Sequence, residues 1–235
     1  MIRVSLPGAE VAFSTREGGV SGGPYRSLNL GILTDDDPAH VTENRRILTS
    51  RLGLDEASVA MGIQVHGAEV QEWDEPPRDG GFARPGAPLP EVDAHTTTHP
   101  GVGLLVLAAD CLPVALAGGG RVAMAHCGWR GLAAGIVENV ARLFDEPPAA
   151  VIGPGIGPCC YEVGEEVLAA FADVEGAASG HMLDLPAVAR ARLAAAGVEA
   201  VEHVDLCTSC RPDLFFSHRR TGGVTGRQGG IAWLS

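Results

Sequence analysis

Apolar residues recur along the chain in two rhythms, and the change from one to the other marks out its elements. Residues 38–52 carry them at helical spacing, with Asp37 placed to cap the start and Gly53 just past the end. A second amphipathic stretch, 132–144, follows the Gly128-Trp129-Arg130-Gly131 turn. Shorter helices are predicted over 165–171 and 186–196, the latter closed by Gly197. Apolar runs of strand length lie at 11–13, 102–109, 113–117, 121–125 and 151–152. Residues 61–70 read as strand, turn and strand around His66, and 215–234 as a mixture of strand and turn. Residues 15–24 and 153–158 are Gly/Pro loops, and Pro85-Gly86-Ala87-Pro88-Leu89-Pro90 is a proline-rich surface loop. Strands and helices interleave without a regular βαβ rhythm, which favours mixed sheets over a doubly wound fold. No repeat or linker interrupts the pattern, so residues 1–235 are expected to form one domain with a substantial core.

Three residues in turn-like settings, each after a strand-like run, carry the candidate chemistry. They are His66 in Gln64-Val65-His66-Gly67, Cys111 in Ala109-Asp110-Cys111-Leu112-Pro113, and His126 in Ala125-His126-Cys127-Gly128-Trp129-Arg130. Two imidazoles and a thiolate are the ligand set of an open zinc site, with a fourth position left for water or substrate. A two-residue Gly118-Gly119 hairpin turn would set Cys111 directly opposite His126 on one face. A three-residue turn would instead split the two onto opposite faces. His66 has to arrive from elsewhere in the fold. Gln64, Asp110 and Arg130 stand beside these residues as supporting groups. Asp110 is placed either to orient a ligating imidazole or to carry a proton.

Charge and composition narrow the reaction classes. The formal net charge is −12, and no basic run exceeds two arginines, which argues against nucleic-acid binding. An anionic substrate therefore needs a local arginine pocket set into an acidic surface. All 17 cationic side chains are arginine, so Schiff-base chemistry, a Walker-A lysine and a lysine general base are excluded. The N-terminal residues lack the apolar core of a signal peptide, and the run 102–117 is too interrupted and short to cross a bilayer. A cytoplasmic location without membrane association is expected.

Other motifs read as ordinary. Cys207-Thr208-Ser209-Cys210 has no second such pair to complete a structural zinc site, and Cys159-Cys160 has no partner motif, so both are taken for buried or incidental thiols. Gly19-Val20-Ser21-Gly22-Gly23 fits a nucleophile elbow in letters but lacks a following helix. With Arg16 at its start, that loop is a candidate to wrap an anion, the alternative for Arg16 being a surface ion pair. The H-x-E with P-C-x-x-C signature of zinc deaminases is absent.

Taken together, the chain resembles the laccase-domain family, also called the multicopper polyphenol oxidase or peptidoglycan editing factor family. The resemblance runs through Thr15-Arg16-Glu17-Gly18-Gly19-Val20-Ser21, Ser27-Leu28-Asn29-Leu30-Gly31, Gln64-Val65-His66-Gly67, Val92-Asp93-Ala94 and Ala109-Asp110-Cys111-Leu112-Pro113-Val114. It continues in Ala125-His126-Cys127-Gly128-Trp129-Arg130-Gly131, Ile152-Gly153-Pro154, Tyr161-Glu162-Val163-Gly164 and Phe216-Ser217-His218-Arg219-Arg220. It implies an α+β fold, a layered α/β/β/α sandwich with mixed β-sheets, and puts the family's metal ligands on His66, Cys111 and His126. Cys127 stands where alanine or another small residue is expected, and His218 where tyrosine is common. Cys127 thereby offers a competing thiolate.

The implied activity is zinc-dependent phosphorolysis of purine nucleosides (adenosine, inosine, guanosine and methylthioadenosine) by phosphate, with adenosine deamination alongside. Zinc is expected as Lewis acid and source of hydroxide. Asp110 is expected to transfer protons, and Arg16, Arg130, Asn29 and Gln64 to orient phosphate or nucleoside. A true multicopper oxidase holds its copper cluster with about ten histidines in paired H-x-H motifs. This chain has eight histidines and no H-x-H, so copper here would be adventitious and a polyphenol oxidase is the weaker alternative. Another alternative is a hydrolase removing a misincorporated amino acid from a nucleotide-linked muropeptide. A last one is a binding protein whose zinc is structural.

Overall fold

A computed structural model describes residues 1–78, 80–84 and 86–235; Pro85, at the start of the expected proline-rich loop, lies outside the described residues. In chain order the strands are β1 (Ile2–Leu6), β2 (Ala9–Phe13), β3 (Val59–Ala60), β4 (Val70–Glu72), β5 (Ala94–Thr97), β6 (Gly103–Ala108), β7 (Leu112–Gly118), β8 (Arg121–Cys127), β9 (Ala149–Ile152), β10 (Ala178–Ser179), β11 (Met182–Leu183), β12 (Val201–His203) and β13 (Gln228–Leu234). The α-helices are α1 (Pro38–Leu52), α2 (Trp129–Ala133), α3 (Ile136–Ala141), α4 (Glu165–Ala169), α5 (Leu185–Ala195) and α6 (His218–Thr221). The first large sheet has the order β1-β2-β13-β6-β3 and the second β12-β9-β7-β8-β5-β4, while β10 and β11 form a two-stranded ribbon. Each large sheet mixes parallel and antiparallel pairs, since β3 runs with β6, β12 with β9, and β4 with β5.

Period-two alternation in the strands builds the layers. In β7, Ala115 and Ala117 face the other sheet, packing with Val11, Phe13, Leu104, Val106 and Met124. Val114 and Leu116 point the opposite way, under Leu132, Ile136 and Val140 of the α2–α3 region and Val188 and Leu193 of α5. Leu48 and Leu52 of α1 cover the far face of the first sheet through Ala12, Leu105 and Ile231. The result is the expected α/β/β/α sandwich with mixed sheets.

Helix α1 has the bounds its pattern predicts. The Asp37 carboxylate accepts from the Ala39 amide at its start, and Gly53 adopts φ 73° at its end. Arg45, buried on its inner face, donates to the carbonyls of Leu30, Gly81 and Phe82.

Three expectations are corrected. The helix over 132–144 is broken: α2 and α3 are separated by Gly135 at φ 85°. Residues 61–69 are mostly loop, passing from β3 in one sheet to β4 in the other with a single bridge, Ile63 to Glu91. The hairpin turn is Gly119-Gly120, pairing Gly118 with Arg121 and Pro113 with His126. The register is thus two residues from the expected one, which preserves the face: Cys111 and His126 are diagonal neighbours, not direct partners.

Candidate metal centre and substrate cavity

One end of the sandwich gathers the chemistry. β6 runs out at Ala108, and residues 109–111 carry the chain across to β7 in the other sheet. β8 and β9 are antiparallel to β7, so they end where β7 begins. β5, antiparallel to β8, starts there too, and so does β13 beside the end of β6. The crossover loop holding His66 enters β4 at the same end, because β4 runs parallel to β5. Six chain segments distant in sequence meet there.

His66, Cys111 and His126 each present a ligand atom at that meeting point, all within 4.8 Å of one another. The rings of His66 and His126 stand edge to face, with centroids 4.9 Å apart. His126 is buried, Cys111 half-buried and His66 exposed, so the group is open on the His66 side. Two backbone features shape it: His66 at φ 60° and Asp110 at φ 100°, both in the left-handed region that non-glycine residues rarely adopt.

Asp93, immediately before β5, holds the group together. Its carboxylate accepts from the amides of Val65, His66 and Gly67 at 3.0, 3.0 and 2.7 Å. It also lies 2.8 Å from His126 Nδ1. That contact fixes the tautomer and leaves Nε2 as the atom able to bind a metal, the carboxylate–histidine–metal arrangement of known sites. Sequence reasoning gave Asp110 as the candidate for this role; the structure gives it to Asp93. Asp93, between Val92 and Ala94 at a strand entrance, is fully buried and so needs partners, but its sequence neighbours do not say which.

Electrostatics agree with a metal-binding set. Burial alone pushes the Cys111 thiol up, but the neighbouring His126 charge and hydrogen bonds from both rings hold it down at about 6. His126 moves the other way: burial works against its charged form, yet the Cys111 thiolate and Asp93 raise it to about 9. The two shifts run in opposite directions because each group's charge favours the other's. Gly128 completes the cradle, since a Cβ there would lie 3.0 Å from Cys111 Sγ and 3.1 Å from His66 Cδ2. Cys127 is no competitor: it is fully buried on the helix-facing side, and burial pushes its thiol up.

Above the three ligands lies a cavity of about 800 Å³. Met61, Ile63, Leu89, Leu107 and Ile156 give it apolar walls, and Arg130, Arg219, Arg227, Tyr161 and His218 supply polar groups. Arg130 stacks 4.3 Å over the Trp129 ring and, among the described residues, makes no ion pair or hydrogen bond through its guanidinium. Arg219 lies 5.2 Å over Tyr161 and donates to the Glu162 carbonyl. Burial and the charge of Cys111 push the Tyr161 phenol up to about 12, so it stays neutral.

The other residues singled out from sequence fall in different places. Asp110 lines the cavity, with its oxygens accepting from Thr208 Oγ1 and the Arg219 amide, both at 2.7 Å. Gln64 also lines it, but its amide pairs with the Leu107 backbone in both directions. Asn29 is buried behind the rim, bonded to Thr34, Asp36 and the amides of Gly31 and Arg227. Arg16 does not line this cavity: it donates to the Arg26 and Pro212 carbonyls beside a separate, smaller depression. Its guanidinium meets backbone carbonyls and the Phe216 ring, and no carboxylate pairs with it among the described residues. Ser21, within the apparent nucleophile elbow, donates to Asp36.

The chain is similar to known proteins over nearly its whole length. The chain is 41% identical to a purine nucleoside phosphorylase of Streptomyces coelicolor, over 99% of this chain and 98% of that one. It is 40% identical to the purine nucleoside phosphorylase YfiH of Escherichia coli, over 97% and 94%. The crystal structure of YlmD from Geobacillus stearothermophilus superimposes with a TM-score of 0.91 at 35% identity, covering 97% of this chain and 93% of that one. A family profile described as multi-copper polyphenol oxidoreductase laccase matches residues 10–235, and the chain belongs to that family.

Proposed function

We propose that this protein is a zinc-dependent purine nucleoside phosphorylase acting on adenosine, inosine and guanosine with phosphate, and that it also deaminates adenosine. The observation that carries the reading is an open His-Cys-His group at the floor of a cavity lined by three arginines. In a chain of net charge −12, three arginines line one cavity. Among the described residues Arg130 has no carbonyl or carboxylate partner, while Arg219 also donates to the Glu162 carbonyl and Arg227 to those of Thr225 and Gly226. Relatives at about 40% identity bear the name of the same activity.

Bound zinc supplies Lewis acidity and an activated water. Arg130, Arg219 and Arg227 bind and orient phosphate, replacing Arg16 in that role. The apolar walls take the base, and Tyr161 offers a neutral phenolic donor. Asp110, beside Cys111, accepts or returns the proton that the departing base or attacking group exchanges.

The test is metal quantitation on purified protein, then a nucleoside panel with and without inorganic phosphate. Alanine at His66, Cys111 or His126 is expected to abolish metal binding at this site and turnover together. Full phosphorolysis by a variant without metal there overturns the reading. Product release that ignores phosphate for every nucleoside moves the protein to the hydrolases, the class of the muropeptide-editing alternative.

A further inference from the structure

Away from the cavity floor, a second group of metal-type ligands is assembled by tertiary structure. β9 and β12 are adjacent parallel strands, and their extensions continue side by side, with Gly155 bridged to Cys207. The first extension carries Cys159 and Cys160, the second Cys207 and Cys210. Their four sulfurs lie within 4.8 Å of one another. The two pairs, read separately from sequence as buried or incidental thiols, are thus brought together by the fold, with Cys159 and Cys210 exposed.

We propose that Cys159, Cys160, Cys207 and Cys210 form a second, closed metal centre, a four-thiolate zinc site that braces the wall of the substrate cavity. Neighbouring side chains in a strand point to opposite faces. Here residues 158–160 form a turn, closed by the Cys160 amide on the Gly157 carbonyl, and both thiols of the pair face one centre. The C-x-x-C segment turns likewise, with the Arg211 amide on the Cys207 carbonyl. Cys210 Sγ is 3.4 Å from Cys159 Sγ and 3.4 Å from Cys160 Sγ. Equal approach to two sulfurs is what a shared centre produces and what pairwise disulfides do not. Zinc–sulfur bonds of about 2.3 Å in a tetrahedron place the sulfurs about 3.8 Å apart, close to this arrangement. Cys207 Sγ also accepts the Gly157 amide at 3.3 Å, the outer support that metal-bound thiolates receive. Four sulfur donors around one point suit zinc or iron, and zinc needs no redox partner. On binding, each thiol that becomes a ligand releases its proton to solvent.

The centre has a structural task. Thr208, between the two C-x-x-C cysteines, donates to Asp110, the neighbour of Cys111. Arg220 binds the carbonyls of Thr208 and Ser209. Tyr161, next to Cys160, lines the cavity. An ion at the four sulfurs thus fixes both the turn that holds Asp110 and the phenol facing substrate.

The test counts metal and reads thiol reactivity on full-length protein, independently of turnover. Wild type loaded with zinc is expected to hold two equivalents, and the His66→Ala/His126→Ala variant one. Cobalt loaded into that variant should show tetrahedral thiolate charge-transfer absorption. In wild type, Cys159 and Cys210 are exposed. They should nevertheless resist alkylation until a chelator is added, a readout that requires no substitution. Cys159→Ser/Cys210→Ser is expected to lose one equivalent and the protection together. Free alkylation of zinc-loaded wild type, an intact mass showing disulfides among these cysteines, or a His66→Ala/His126→Ala variant without metal would each overturn the proposal.

Discussion

Asp93 shows how much one carboxylate can organise. Three successive amides and one imidazole converge on it, so the turn carrying His66 and the ring of His126 are held by the same two oxygens. Replacing it by asparagine puts an NH2 group against those amides and is expected to weaken metal binding at His66, Cys111 and His126 by about 10–100-fold. Competition with a chromogenic chelator would measure this, and unchanged affinity would sink the role given to Asp93. Gly128 has φ −82° and ψ 170°, a conformation open to any residue, so space and not strain demands glycine. Gly128→Ala is expected to displace Cys111 or His66 by several tenths of an ångström and reduce metal occupancy. Its circular dichroism should stay native; full occupancy would contradict the cradle. His66, Cys111 and His126 were legible as candidates because two histidines and a cysteine follow apolar runs, and the structure groups them. Asp93 was not, since nothing local says which ring a carboxylate will meet.

Elements whose ends are set by local chemistry were read correctly, and those set by packing were not. Helix α1 owes its limits to a carboxylate cap and a left-handed glycine, both visible as Asp37 and Gly53. Asp37→Ala is expected to cost about 1 kcal/mol and lower the melting temperature, leaving metal content unaltered. A melt paired with metal analysis checks both halves. The α2–α3 break has no such local mark, because Gly135 inside an amphipathic pattern is compatible with a continuous helix. Leu132 and Ile136, on either side of the left-handed Gly135, are both buried in the core under the sheet, as they would also be in a continuous helix. The hairpin register was missed by two residues for a related reason: three consecutive glycines offer more than one two-residue turn, and packing in both sheets selects Gly119-Gly120.

For the molecule as a whole, the sandwich places its titratable groups in unequal environments. His95, fully buried in β5, accepts from Trp73 Nε1, and its Nε2 has no partner among the described residues. Burial lowers its pKa from 6.5 to about 4. The unfolded chain therefore takes up this proton first as pH falls. Stability present above pH 6.5 drains away through that window to about pH 4, by about 3 kcal/mol at most. His95→Gln keeps an acceptor for Trp73 and removes the titration. Urea midpoints measured from pH 7 to 4 should fall less steeply for that variant, and identical slopes would refute the linkage. No described helix is long and apolar enough to cross a membrane. The net charge of −12 sets the three arginines lining the cavity apart from the rest of the chain.

Periodicity, capping residues and the kinds of atoms available to bind a metal are properties of the chain itself, because each depends on neighbours a few residues apart. They were enough for mixed sheets, for α1, and for naming His66, Cys111 and His126 as candidates that the structure then groups. The placement of Arg16 outside the cavity, of Arg219 and Arg227 within it, of Asp93 on His126, and of four cysteines around one point depends on which strand ends share a side of the sandwich. That is decided by burying two sheets against each other, a non-local contest among apolar faces in which short polar motifs have no say.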